Sequence, residues 1–217
     1  MCTSISRIVF LGKPGSGKGT QAAALSRSLS LPHLSSGEIL RSEIREGTEF
    51  GRAVEEYVLR GEIGPEELIA QVILHYIERK DMGAGYILDG FPRTLLQARE
   101  LDARFPPEQA LLLSVPDSVI VERLSRRLTC SGCGTVTDAG DDTPEESCPE
   151  CGGELARRPD DHPEAIAQRL ETFEREVTPV ILHYEDSGRL VRIDGTGGIP
   201  AVEREILASF PSHGAST

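Results

Sequence analysis

The sequence predicts an α/β fold, a parallel sheet with helices on both faces. Three observations predict it. Short apolar runs bounded by turn residues recur at Ile5 to Leu11, Leu31 to Leu34, Tyr86 to Leu88, Ala110 to Val115 and Leu190 to Ile193. The stretches between them have helical periodicity; Ile69, Val72, Ile73, Tyr76 and Ile77 fall on one face at the i, i+3, i+4, i+7, i+8 spacing. Strands alternating with helices give parallel sheets covered on both sides. A glycine-rich loop, Gly12 to Lys18, joins the first apolar run to a helix-compatible run, Thr20 to Leu29.

Two regions interrupt the alternation. From Ser35 to about Gly64 the chain is rich in Glu and Arg and has helical spacing without a strand, which predicts a small helical insertion. From about Leu128 to Asp161 it turns to Cys, Gly, Pro and acidic residues with hardly an apolar run, so this segment needs a source of stability other than a core. No internal repeat is visible, and PSHGAST at the carboxyl end reads as a frayed tail.

The 217 residues suffice for one domain with inserted lobes, and 38% hydrophobic residues with 5% aromatics and no Trp suit an ordinary α/β protein. The net charge of −12 argues against a broad surface for nucleic acid or anionic lipid, so any anion must be met by a local cluster of cations. No apolar run is long enough to span a membrane, and the first strand starts too early for a leader. The expectation is a cytoplasmic protein, and nothing in the sequence forces more than a monomer.

Gly12-Lys13-Pro14-Gly15-Ser16-Gly17-Lys18 has P-loop spacing between a strand and a helix. Glycines let successive N–H groups point into one concavity, and the helix adds the positive end of its dipole. Lys18 supplies a mobile ammonium. Gly19 follows the lysine where Ser or Thr is general, and the hydroxyl comes at Thr20.

The run G-x-P-G-x-G-K-G-T-Q, followed later by Asp89-Gly90-Phe91-Pro92-Arg93-Thr94, resembles the adenylate kinases and their nucleoside monophosphate kinase relatives over essentially the whole chain, Arg7 to about Ile206. The resemblance implies a P-loop NTPase-type sheet with a helical acceptor-binding insertion and a lid, divided as core 1–34, insertion 35–64, core 65–126, lid 127–164 and core 165–217. It also implies ATP, AMP and ADP as ligands, with Mg²⁺ accompanying ATP. Gly15, Ser16, Gly17, Lys18, Gly19, Thr20, Arg123, Arg127 and Gly197 would bind ATP.

Leu34-Ser35-Ser36-Gly37-Glu38-Ile39-Leu40-Arg41 matches the family's acceptor segment, with Ser36 able to cap a helix and Arg41 offering a planar fork to phosphate. Ser36, Arg41, Gly90, Arg93, Gln97, Arg158 and Arg169 would bind AMP, with Gln97 four residues after Arg93 on one helix face. Asp89, at the end of a strand, would hold magnesium through water. Arg123 and Arg127 are spaced i, i+4 for one helix face; Arg126 stands where the family has glycine, so either Arg126 or Arg127 faces the nucleotide. Lys18, Arg93, Arg127, Arg158 and Arg169 would offset the charge of phosphoryl transfer.

Cys130-x-x-Cys133 and Cys148-x-x-Cys151 are fourteen residues apart, and each pair is followed by glycine. That is zinc-ribbon spacing, two thiolates per knuckle on one side of a tetrahedral ion, with a redox dithiol or metal-free thiols as the other readings. In the family such a zinc is structural and stabilises a long lid. Cys2 is left over, and His33, His75, His162, His183 and His213 lack metal spacing. Two other functions fit less well: a kinase for UMP, CMP or GMP, and a zinc-ribbon nucleic-acid binder with an inactive P-loop, which the acidic balance disfavours.

Overall fold

The computed structural model describes residues 5–59, 64–82, 85–139, 147–158 and 161–210. Cys2, His213, the frayed tail and the acidic residues Asp141, Asp142, Glu145 and Glu146 lie outside the described residues.

All five expected strands are present: β1 (Arg7–Gly12), β2 (His33–Ser35), β3 (Tyr86–Asp89), β4 (Gln109–Ser114) and, in chain order after three short strands described below, β8 (Leu190–Asp194). They form one parallel sheet in the order β2-β3-β1-β4-β8. Near-continuous Val/Ile/Leu runs suit strands buried on both faces, and β1 shows why. Its Val9 and Leu11 pack with α4 (Glu66–Arg79), α5 (Leu95–Arg104) and α7 (Pro163–Asp186), while Ile8 and Phe10 pack with α1 (Lys18–Leu29) and α8 (Ile199–Ser209). The same parallel order brings the carboxyl ends of β1, β2, β3 and β4 to one edge, where the site lies.

The insertion is two helices, α2 (Ser36–Arg45) and α3 (Glu49–Leu59). They approach so closely at Gly51 that a Cβ there would sit 2.1 Å from the Glu43 carbonyl oxygen. Glu43 itself has no exposed side chain, and its carboxylate accepts from Arg79 Nη2 (2.6 Å) and Thr48 Oγ1 (2.6 Å), tying α2 to α4. Breaking a buried pair from one side strands the remaining charge. Arg79→Met is therefore expected to cost about 3 kcal/mol, the low end for such pairs because the arginine is partly exposed. Glu43→Gln, which keeps a neutral acceptor for Thr48, costs less. Urea midpoints of the two variants check the order, and equal midpoints would contradict it.

Helix α6 (Asp117–Arg126) ends one residue earlier than the i, i+4 pairing of Arg123 and Arg127 requires. Arg127 is extended and opens β5 (Arg127–Cys130), paired antiparallel with Asp138 of β6 (Val136–Asp138). The shared helix face is thus not formed; strand pairing claims Arg127 instead. With β7 (Leu155–Ala156) these strands make a small sheet in the order β6-β5-β7. Among the described residues, no helix is long and apolar enough to cross a membrane.

Candidate functional site

The phosphate loop leaves β1 and enters α1 with Gly17 as N-cap. Gly15 has φ +80° and lies so close to α6 that a Cβ would meet Leu124 Cγ at 2.8 Å. Gly17, at φ +94°, faces open space, so its requirement is the left-handed backbone alone. Ser16 points inward; its N–H donates to the Lys13 carbonyl, and its buried hydroxyl has no partner among the described residues. Gly19 also has a local reason, since a Cβ there would come within 3.1 Å of Asp89 Oδ2. Asp89, at the end of β3, therefore stands against the first turn of α1, and a carboxylate there is a ligand type that suits a hard cation.

Lys18, the first residue of α1, donates its Nζ to the Lys13 carbonyl at 2.9 Å. Burial lowers its pKa to about 8, Asp89 opposes that shift, and Arg93, Arg169 and Arg127 add to it. Lys18 thus feels three arginines from three other segments of an acidic protein. A bound polyphosphate would hold Lys18 protonated, raising its pKa above the ligand-free value. Affinity is then full below pH 8 and falls as pH rises past it, by up to about tenfold per pH unit. Calorimetry of ATP binding at pH 8.5 in buffers of different ionisation enthalpy should register net proton uptake, absent in Lys18→Met. No uptake in the parent protein would contradict the assignment.

Arg127 and Arg169 share one carboxylate. Asp161, whose side chain is only 1% exposed, accepts from Arg127 Nε (2.7 Å) and from Arg169 Nη1 (3.1 Å). Arg126 turns the other way, its Nε donating to Asp138 Oδ1 at 2.9 Å. Arg127 is among the groups whose charge lowers the Lys18 pKa. Arg158 is held against the small three-stranded sheet, donating from Nε to Thr129 Oγ1 at 2.9 Å. Arg123 Nη2 donates to the Thr196 carbonyl at 3.3 Å, which brings it beside exposed Gly197 on the loop after β8.

In the helical insertion, the N-cap of α2 is Ser35, and Ser36 does not cap the helix. Being already inside the first turn, Ser36 donates its hydroxyl to the Gly90 carbonyl (3.0 Å). Arg93 Nε donates to that same carbonyl at 2.8 Å. Arg93 precedes α5, whose N-cap is Thr94, so it shares no helix face with Gln97. The two are joined differently: Gln97 Oε1 accepts from the Arg93 N–H (2.8 Å), and its Nε2 donates to the Glu66 carbonyl (3.3 Å). Arg41 folds back onto Glu38, three residues earlier in α2.

The four lid thiols converge, with every Sγ within 4.8 Å of the others. Cys130 and Cys151 are 3.4 Å apart and Cys133 and Cys148 are 3.5 Å apart. Tetrahedral zinc with Zn–S bonds of about 2.3 Å needs sulfurs about 3.8 Å apart, so the cluster fits that ion. Gly132 N–H points at Cys130 Sγ (3.3 Å), as a thiolate would require, and Gly134 and Gly152 close the two knuckles at positive φ. His183 pairs with Asp102 (2.7 Å) and His162 caps α7, so neither is a metal ligand here.

Three site features escaped the sequence reading. Asp161 is one of several acids in its run, and only burial between two arginines singles it out. The carbonyl of Gly90 collects Ser36 and Arg93 from distant segments, which no local pattern encodes. Lys13 occupies a variable position of the loop.

A family model described as "Adenylate kinase" matches residues 10–189 of the chain. The chain is similar to proteins named "Adenylate kinase" from Acetivibrio thermocellus and Methanosarcina mazei, each 41% identical, over 208 and 207 residues, covering 93% of this chain and 96% of the relative. A protein of the same name from Archaeoglobus fulgidus is 38% identical over 208 residues, again covering 93% of this chain and 96% of its own.

Proposed function

This chain belongs to the adenylate kinase family, and from that premise we propose how its residues carry the reversible transfer of a phosphoryl group from ATP to AMP, giving two ADP. It is a nucleoside monophosphate kinase that uses ATP, AMP and ADP. The observation that carries the proposal is that Lys18, held on the Lys13 carbonyl, feels the charge of Arg93, Arg127 and Arg169, the last two joined on buried Asp161, in a protein with net charge −12.

ATP phosphates lie in the loop Gly15–Thr20, with its adenine between Arg123 and Gly197. AMP lies against Ser36, Arg41, Gly90 and Arg93, its base read by Gln97. Gln97 now spends its amide on backbone, so base reading needs that amide to exchange partners, and Arg41 must leave Glu38 for the phosphate. An oxygen of the AMP phosphate forms the new P–O bond as the bond between the γ-phosphorus and the β-phosphate oxygen of ATP breaks. No general base is needed, because the attacking oxygen is already anionic. Lys18 and the arginines stabilise charge on the transferring group.

Arg158 sits on the lid and reaches the phosphates only on closure, which also excludes water as a competing acceptor. Magnesium, arriving with ATP, would be held by Asp89 through water and would neutralise phosphate charge. We read the four lid thiols as a structural zinc site, and the protein as a cytoplasmic monomer without nucleic-acid partners. The net charge and the thiols, unbonded to one another, support that reading.

Coupled ADP formation from MgATP with AMP, CMP, UMP and GMP in turn tests the proposal. AMP should be preferred by at least about a hundredfold, since a polar site left unpaired by the wrong base discriminates strongly. Equal or faster turnover with another acceptor would overturn the AMP assignment.

A further inference from the structure

Lys13 is the second residue of the phosphate loop. Its Nζ lies 2.7 Å from Asp117 Oδ1 and 2.7 Å from Glu174 Oε1. Asp117 opens α6, and Glu174 lies in the first half of α7. Those two helices are the chain's way into and out of the lid: α6 runs directly into β5, and α7 begins just after Asp161. One side chain from the loop thus grips both lid-bearing helices.

The backbone of the same residue faces inward. Its carbonyl accepts Lys18 Nζ at 2.9 Å and the Ser16 N–H at 3.1 Å. Gly15, two residues on, is pressed against Leu124 of α6, and α6 is joined to α7 by Ile120, Leu124 and Ile166. Burial would lower the Lys13 pKa, yet the two carboxylates raise it overall, so the ammonium stays charged across the neutral range. Its side chain is 22% exposed, against 58% for each carboxylate.

We propose that Lys13 is a positioning residue for the ATP side of the reaction, fixing the phosphate loop to the two lid-bearing helices and so setting Lys18 against Arg127 and Arg169. The inference rests on the proposed ATP site and adds to it the device that aligns its halves. Lys13 need not touch a phosphate. Its ammonium is occupied by carboxylates, and it acts through the carbonyl that holds Lys18 and through the helix that carries Arg169.

The test compares the zinc-loaded full chain with Lys13→Met, Lys13→Arg, Glu174→Gln and the Lys13→Met/Glu174→Gln double variant, measuring KM for MgATP and for AMP separately. Partly exposed pairs are individually weak, so Lys13→Met should raise the MgATP KM roughly three- to tenfold and the AMP KM by clearly less, since among the AMP residues only Arg169 rides on α7. Lys13→Arg should restore most of it, and the double variant should be no worse than Lys13→Met alone, because both remove one shared tie. An unchanged MgATP KM, equal rises for both nucleotides, or additive effects in the double variant would each overturn the proposal. If the parent chain showed no AMP-dependent turnover, the function itself would fail. Calorimetric MgATP affinity of the same variants would then decide the role of Lys13, with a loss in Lys13→Met supporting it and unchanged affinity overturning it.

Discussion

Lys18→Met is expected to lower turnover by roughly a thousandfold, the scale of losing one preorganised charge donor from a phosphoryl or acyl transition state. The same variant should be slightly more stable than the parent chain. In the ligand-free protein the Lys18 ammonium is partly buried beside three arginines, and its pKa is lowered to about 8 from 10.5. Below pH 8 the charged form is present in both folded and unfolded chains, and the folded chain bears the cost of desolvating it. Removing that charge relieves the cost, while leaving the loop's glycine conformations and the packing of Gly15 on Leu124 in place. Steady-state kinetics and thermal midpoints on one preparation check both signs. A variant that lost activity and stability together would show instead that Lys18 acts by holding the fold.

Removing zinc is the second large effect expected. The lid sheet has strands of four, three and two residues, and among its described apolar residues Leu128 is the main buried one besides Cys130 and Cys148. Strands this short are not stable without another source of free energy, which four thiolates around one ion would supply. Chelation, or Cys148→Ser, should unfold the lid while the five-stranded sheet persists. Arg127 and Arg158 then lose their places, and activity should fall by about tenfold or more. The parent protein should contain one zinc per chain and, once denatured with chelator, titrate five thiols for its five cysteines. One thiol with no zinc would mean that the lid is held by two disulfides.

The motifs with local meaning could be read from the chain directly. Strand, glycine loop, lysine and helix follow one another within Arg7 to Leu29, and the thiol spacing needs only its own residues to predict a tetrahedral cluster. The misread features depend on contacts made far along the chain. Arg127 was expected on a helix face, but pairing with Asp138 ends the helix at Arg126 and draws the next residue into a strand. Ser36 was expected to cap a helix, yet its hydroxyl answers to Gly90, more than fifty residues away. Gln97 shares no helix face with Arg93, which lies before α5, and its amide is spent on backbone groups of Arg93 and Glu66. Helical periodicity and turn chemistry are set within a few residues, whereas the direction of a polar side chain is set by whichever partner the fold brings to it.

The cations around Lys18 are expected to pass a phosphoryl group between two nucleotides and to exclude water. ATP labelled in its γ-phosphate, mixed with AMP and magnesium, tests this most directly. One labelled ADP should form for each AMP consumed, with no free labelled phosphate above background and neither product without AMP. Labelled inorganic phosphate released at the same rate with and without AMP would contradict it, because the acceptor would then be water.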